Sequence, residues 1–197
     1  MQKTEILDQI QKITYITQPS GVVLISTVSK SGLRNVAPFA QMLVASSKPP
    51  ILALAISPKS DTFKNIRDTK QFVVGIPKKE VLEQVVKTAD KVDDEFVYAG
   101  LTPYESSHVK PPKIKECSIN IECELHSMQE TGNHFVICGS VLAADIDEDL
   151  AQFVNDNTKL RTSFDFIYHI SNRTTFGIGF EDIVDVQNDT IEAKEEL

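Results

Sequence analysis

The chain has 197 residues, 41% hydrophobic and 24% charged, so it is neither disordered nor fibrous. At this length folding buries about 70% of the unfolded surface, enough for a core without disulfide or metal staples, and one domain is expected. The net charge of −8 is uneven, +3 over residues 1–50 and −11 over residues 51–197, which excludes nucleic acid and anionic membranes as expected partners.

The basic front portion either faces a small anionic ligand or reflects ordinary scatter. Cys117, Cys123 and Cys138 form no CxxC pair, and their odd number argues against a disulfide framework. Cys123 and Cys138 sit in alternating apolar runs and read as small core hydrophobes. MQKTEILDQI has no apolar signal core, and the longest apolar stretch, Pro49 to Ile56, is too short to span a bilayer. A cytoplasmic location is expected.

In chain order, residues 4–13 place Ile6, Ile10 and Ile13 on one helical face and predict a short helix. GVVLISTVS predicts a buried strand, with a turn at Lys30-Ser31-Gly32. Asn35 to Ser46 reads as extended around Pro38, and ILALAIS as a second buried strand. SPKSDTFKNIRDT shifts to helical period, with Ser60, Asp61 or Thr62 as its cap. QFVVGI is a third strand. Residues 78–90 predict the clearest helix, on a stripe of Val81, Leu82, Val85 and Val86. Residues 91–112 read as loop with a helical turn near Asp93 to Tyr98. Residues 117–127 and 134–144 read as paired strands joined around Gly132-Asn133, residues 149–160 as helix or loop, Thr174 to Phe180 as a last strand, and the acidic tail from Glu192 as frayed. The fold class expected is mainly β, a small closed barrel with peripheral helices.

The sequence carries no GxGxxG, no GxxxxGK[ST], no GxSxG and no HExxH, and its four histidines do not cluster as metal ligands. Around the helix start at 59–67, hydroxyls, two lysines and an arginine suit a phosphate, or form a plain capped surface helix. His134, at a turn–strand junction, either touches a ligand at the barrel rim or is a solvated strand end. Met42, Met128 and the ten phenylalanines read as core or interface packing.

Three segments together carry a resemblance: STVSKSGLRNVAPFAQMLVASSKPPILALAIS at 26–57, DTFKNIRDTKQFVVGIP at 61–77, and PPKIKECSINIECELHSMQETGNHFVICGSV at 111–141 with its Gly139-Ser140-Val141. The sequence resembles the flavin reductase-like family, whose members adopt an FMN-binding split β-barrel, over roughly residues 15–180. The resemblance implies that Asn35, Ala37, Pro38 and Phe39 run beside the isoalloxazine ring. It implies that Ser46 and Ser47 bond the ring or ribityl chain, that Lys59, Ser60, Thr62, Asn65 and Arg67 surround the FMN phosphate, and that His134 lies near the reacting faces. Two departures are Gly132-Asn133-His134 in place of Gly-Asp-His, and Arg34 where some reductases have a small residue. Arg34 there either narrows the ring pocket or binds a phosphate. Tyr168-His169 and Phe176 match the family's aromatic C-terminal pattern loosely.

The implied function is an NAD(P)H-dependent reductase passing hydride from NADH or NADPH to FMN, in a homodimer, serving an acceptor oxygenase or an electron-transfer protein. The rivals are a flavoredoxin-like FMN electron carrier with little NAD(P)H activity, a non-flavin split barrel binding haem or a deazaflavin, and a purely structural interaction barrel.

Overall fold

The run VVLI in the first strand is continuous rather than alternating because both of its faces are buried. In the computed structural model, which describes residues 20–40, 42–152, 167–171 and 175–178, this run lies in β1 (Ser20–Val28). Val23 and Ile25 enter one core with Leu54, Ile56, Phe63, Ile66 and Phe72. Val22 and Leu24 enter a second core with Val36, Val81, Val85 and Phe96. The first core fills a barrel, and the second lies between the barrel wall and two short helices.

The barrel strands are β1, β2 (Arg34–Ala40), β3 (Leu43–Ser47), β4 (Pro50–Ile56), β5 (Gln71–Pro77), β8 (Cys117–Thr131) and β9 (His134–Ile146). Their order is β2-β1-β5-β8-β9-β4-β3, every pair antiparallel. The two ends of this order, β2 and β3, are consecutive in the chain and run in the same sense. Residues 41–42 join them, so the sheet curls until its edges meet at a seam without a ladder between them among the described residues. This is a split barrel, mainly β as the sequence predicts. The minor ladders are β6 (Pro103–Tyr104) with β7 (Lys113–Ile114), and β10 (Ile167–Ser171) with β11 (Thr175–Ile178), β10 also pairing with the start of β1.

Gly139 of the Gly-x-Val motif has a packing reason. It pairs with Leu52 and Leu125, and a Cβ there would run into the Phe72 ring, which is fully buried in the barrel. Gly132 opens the two-residue β8–β9 loop at φ 59°, the positive first position that strand twist favours in a hairpin.

Helix α1 (Asp61–Thr69) plugs one end of the barrel with Phe63 and Ile66, and Ser60 caps it by accepting the Phe63 N–H at 3.1 Å. The helix expected over 78–90 is shorter: a 3-10 turn at Lys79–Val81 leads into α2 (Leu82–Lys87). Extended Lys78, tied by its N–H to the Glu116 carbonyl, delays the start. Thr88 closes the end by donating its hydroxyl to the Val85 carbonyl at 2.7 Å. Val81 and Val85 are buried, whereas Val86 is exposed. The helical turn expected near Asp93 is α3 (Glu95–Ala99), capped by Asp94. The extended stretch 35–46 resolves into β2 and β3, and β10 is an additional strand. Glu148–Ala151 forms α4. The expected helix at 4–13, residues 153–160 and the tail from Glu192 lie outside the described residues. Cys117 and Cys123 are buried and Cys138 half-buried, all free thiols; burial pushes the Cys123 thiol up to about 12. Among the described residues no helix is long and apolar enough to cross a membrane.

A buried carboxylate anchors the loop outside β8. Glu122, 2% exposed, accepts the N–H groups of Ser107, His108 and Val109 at 3.0, 2.6 and 3.2 Å. It also faces the Lys113 ammonium at 3.4 Å, which lies 2.8 Å from Asp145. Burial pushes the Glu122 carboxyl up, but the Ser107 and His108 N–H groups and Lys113 outweigh it and hold the carboxyl below the usual range. A depressed folded-state pKa stabilises the fold above the unfolded carboxyl's pKa of about 4.3, and that stabilisation is lost as pH falls through the folded value. Glu122→Gln is therefore expected to cost about 1–3 kcal/mol at pH 7 in urea unfolding. The difference from wild type should shrink as pH falls below about 4.3; a pH-independent difference would contradict this role for the charge.

Candidate functional site

Among the described residues β2 has a ladder on one side only. Alternate residues of such an edge strand turn their N–H and C=O groups away from the partner strand, toward whatever lies beside the edge. Pro38, which lacks an N–H, is tolerated there for the same reason. Beside this edge lies a cavity of about 490 Å³, within the size range of small-molecule sites. Its walls come from β2 (Asn35 and residues 37–40), from the start of α1 (Lys59 to Thr62), and from the α2–α3 side (Thr88 to Lys91, and Glu95). Seven expected site residues thus converge: Asn35, Ala37, Pro38, Phe39, Lys59, Ser60 and Thr62.

A hydrogen-bond chain sets the wall. Asn65 Nδ2 donates to Thr27 Oγ1 at 3.0 Å, and Thr27 Oγ1 donates to Asn35 Oδ1 at 3.2 Å. Thr62 Oγ1 donates to the same Asn35 oxygen at 3.0 Å. Asn65, Thr27 and Thr62 are buried. With Oδ1 taken twice, the Asn35 amide is fixed and its NH2 is left as a donor on the cavity wall. The hydroxyls read from sequence as ligand donors are partly committed: Thr62 donates to Asn35, and Ser60 donates to the Ser57 carbonyl while capping α1. What remains facing a ligand is Lys59, the first-turn N–H groups that an α-helix cannot bond internally, and Asn35 Nδ2. Lys59 has no ion-pair partner among the described residues. Asp61 is paired with Lys64 at 2.7 Å, and Asp90 accepts the Tyr98 hydroxyl at 3.0 Å.

The other six expected residues do not line this cavity. Asn65 stands behind it, through Thr27. Arg67 is exposed and paired with Asp68 at 2.8 Å. Arg34 grips Asp94 through Nε at 3.2 and 3.0 Å and through a terminal nitrogen at 2.8 Å, with its guanidinium 5.3 Å from the centre of the Phe96 ring. That geometry ties β2 to α3 and leaves Arg34 engaged within the protein. Ser46 and Ser47 stand where β3 meets the start of β4, whereas Ser57 and Lys59 follow its end. The seven residues of β4 separate the two groups by about 20 Å. His134 begins β9, one residue before Phe135, which pairs with Ile56 and packs on Phe63 at 4.8 Å between ring centres. It thus shares the barrel end with the start of α1. Its Nδ1 lies 2.7 Å from Asn133 Oδ1.

Sequence reasoning misses Thr27, Asp94, Glu95 and the 88–91 segment. Thr27 is signalled only as a hydroxyl beside an aliphatic run, and Asp94 as a cap ahead of Glu95-Phe96.

The Flavin reductase like domain profile matches residues 17–163. The chain belongs to this family. It is a flavin-related oxidoreductase. An uncharacterized protein of Aquifex aeolicus is 36% identical over 140 residues, covering 67% of this chain and 71% of its own. The structure of nitrilotriacetate monooxygenase component B from Bacillus cereus superposes with a TM-score of 0.76 at 22% identity, covering 92% of this chain and 98% of that one. Flavoredoxin of Desulfovibrio vulgaris gives 0.76 at 19% identity, covering 96% and 99%. These two structures share the fold.

The Arg34–Asp94 contact generates a prediction. Burial pushes the Asp94 carboxyl up, but Arg34 and the Val97 N–H hold it below its ordinary value. Both side chains are partly exposed, so a double-mutant cycle with Arg34→Ala and Asp94→Ala in urea unfolding should give a coupling of about 0.2–1 kcal/mol. Additive effects would show that the pair does not hold α3 to β2.

Proposed function

We propose that the chain is an NAD(P)H-dependent FMN reductase whose cofactor lies along the free edge of β2. The observation that carries this is the convergence of Lys59, the start of α1 and the fixed Asn35 amide in one cavity. Lys59 and the first-turn N–H groups hold the phosphate dianion, with Ser60 maintaining the helix end. Asn35 Nδ2 and the edge groups of β2 meet the carbonyls and ring nitrogens of a flat heterocycle, and Ala37 leaves room for its face. Phe39 and Val22 keep water from one side. Asn65 acts through Thr27 to hold Asn35. Bound FMN supplies the hydride acceptor, and NADH or NADPH the hydride. His134, at the same barrel end, orients the nicotinamide.

The chain works as a homodimer in this proposal. Edge strand β3 exposes Leu43 (55%) and Val44 (68%), an apolar edge without a second ladder among the described residues that a second copy would cover. Ser46 and Ser47 reach a flavin only across such a contact, from the partner's β3. The acceptor is an oxygenase, in line with the component B structure, or an electron-transfer protein. The likeness to a flavoredoxin along nearly the whole chain keeps a second reading in view, an FMN electron carrier with another donor.

Anaerobic visible titration with FMN, then NADH, then NADPH tests the proposal. Reduction is expected to bleach the bound flavin with at least one nucleotide. Lys59→Ala should weaken FMN about ten-fold and leave riboflavin, which lacks the phosphate, unchanged. Binding without bleaching would select the carrier, and no flavin binding would contradict both.

A further inference from the structure

Five charged side chains line the cavity: Lys59, Asp61, Asp90, Lys91 and Glu95. Three acids against two lysines leave its walls short of positive charge for a phosphate dianion. On the far wall Lys91 balances Glu95 in charge, and Asp90 accepts the Tyr98 hydroxyl. Asp61 stands on the wall proposed for the phosphate. It is the first residue of α1, two residues after Lys59. The Ser60 hydroxyl takes the Phe63 N–H, so the first-turn N–H groups left to a ligand are those of Asp61 itself and Thr62. A helix start and a lysine attract an anion whether it comes from a ligand or from the chain. The Asp61 carboxylate is therefore a competitor for the phosphate, carried on the same turn.

We propose that Lys64 is a positioning residue that removes this competitor, an inference that rests on the flavin reading above. Lys64 does not line the cavity. It lies three residues along the same helix, and its ammonium meets Asp61 Oδ1 at 2.7 Å. Residues at this spacing are neighbours on a helix surface, and an acid ahead of a base suits the helix dipole. Lys59 has no ion-pair partner among the described residues. Two lysines thus have one carboxylate between them in the chain, and the one outside the cavity holds it. The pairing neutralises one of the three acids and leaves Lys59 and the first-turn N–H groups to the phosphate.

The test is a double-mutant cycle read in flavin affinity. Wild type, Lys64→Ala, Lys64→Arg, Asp61→Asn and the double variant Lys64→Ala/Asp61→Asn are titrated with FMN and with riboflavin, which lacks the phosphate. Both side chains are more than half exposed, and ligand-free melting temperatures confirm that each variant folds. Lys64→Ala should weaken FMN about two- to five-fold, the scale of an exposed ion pair, and leave riboflavin unchanged. Lys64→Arg should keep wild-type affinity. Asp61→Asn should bind FMN at least as tightly as wild type, and Lys64→Ala should have no further effect in its background. Equal weakening by Lys64→Ala with and without Asp61 would mean that Lys64 acts on the phosphate directly, and would overturn the proposal. Equal weakening of riboflavin would mean a disturbed helix end, with the same result. Unchanged FMN affinity in Lys64→Ala, or a loss of FMN affinity in Asp61→Asn, would also overturn it. If wild type binds FMN through its phosphate and these outcomes appear, the role of Lys64 alone fails; if wild type binds no flavin, the flavin reading fails and takes that role with it.

Discussion

The cavity exists because β2 and β3 follow one another in the chain and cannot both extend the sheet and close it. Residues 41–42 are too short a link to let either strand pair around the other, so the barrel keeps an open seam and β2 keeps an open edge. An open edge exposes backbone donors and acceptors that must be answered by water, by a neighbouring chain or by a ligand. Here two elements flank it. α1 brings a helix start and a lysine from one side, and the α2–α3 segment brings a buried acid from the other.

The flanking elements are held to β2 by polar contacts on consecutive residues. Arg34 reaches Asp94 on the helical face of the strand, and Asn35 accepts from Thr27 and Thr62 on the barrel face. Successive strand residues point to opposite faces, so this dipeptide fastens both walls of the cavity at one level. The apolar cores on either side of β1 give the wall its rigidity. The polar chain gives it a defined orientation, because a doubly accepting amide oxygen leaves only one direction for its NH2.

Much of the fold is legible in the sequence. The continuous apolar runs of β1, β4 and β5 reveal strands buried on both faces, Ser60 with Phe63 marks the start of α1, and Gly132-Asn133 marks the β8–β9 hairpin. These signals are local. The extent of α2 is not legible, because the Lys78 tie to Glu116 and the Thr88 bond to Val85 trim a helix whose stripe alone would run further. The candidate cavity is legible in outline. The segments 35–39 and 59–62 do converge, but the sequence leaves Ser60 and Thr62 open between ligand donor and helix cap, whereas the fold uses Ser60 as the cap and spends the Thr62 hydroxyl on Asn35. Arg34 reads as either narrowing the ring pocket or binding a phosphate until a partner sixty residues away in the chain engages it. Glu95 is invisible at that level, since nothing in DDEFVYAG distinguishes a buried acid from a solvated one.

The claim that the β2 edge is the flavin site is tested most directly by a crystal structure of the protein grown with FMN. The account predicts the phosphate within hydrogen-bond distance of Lys59 Nζ and the first-turn N–H groups of α1, with the ring along Asn35 to Phe39. A flavin bound elsewhere, with Lys59 and Asn35 untouched, would contradict it.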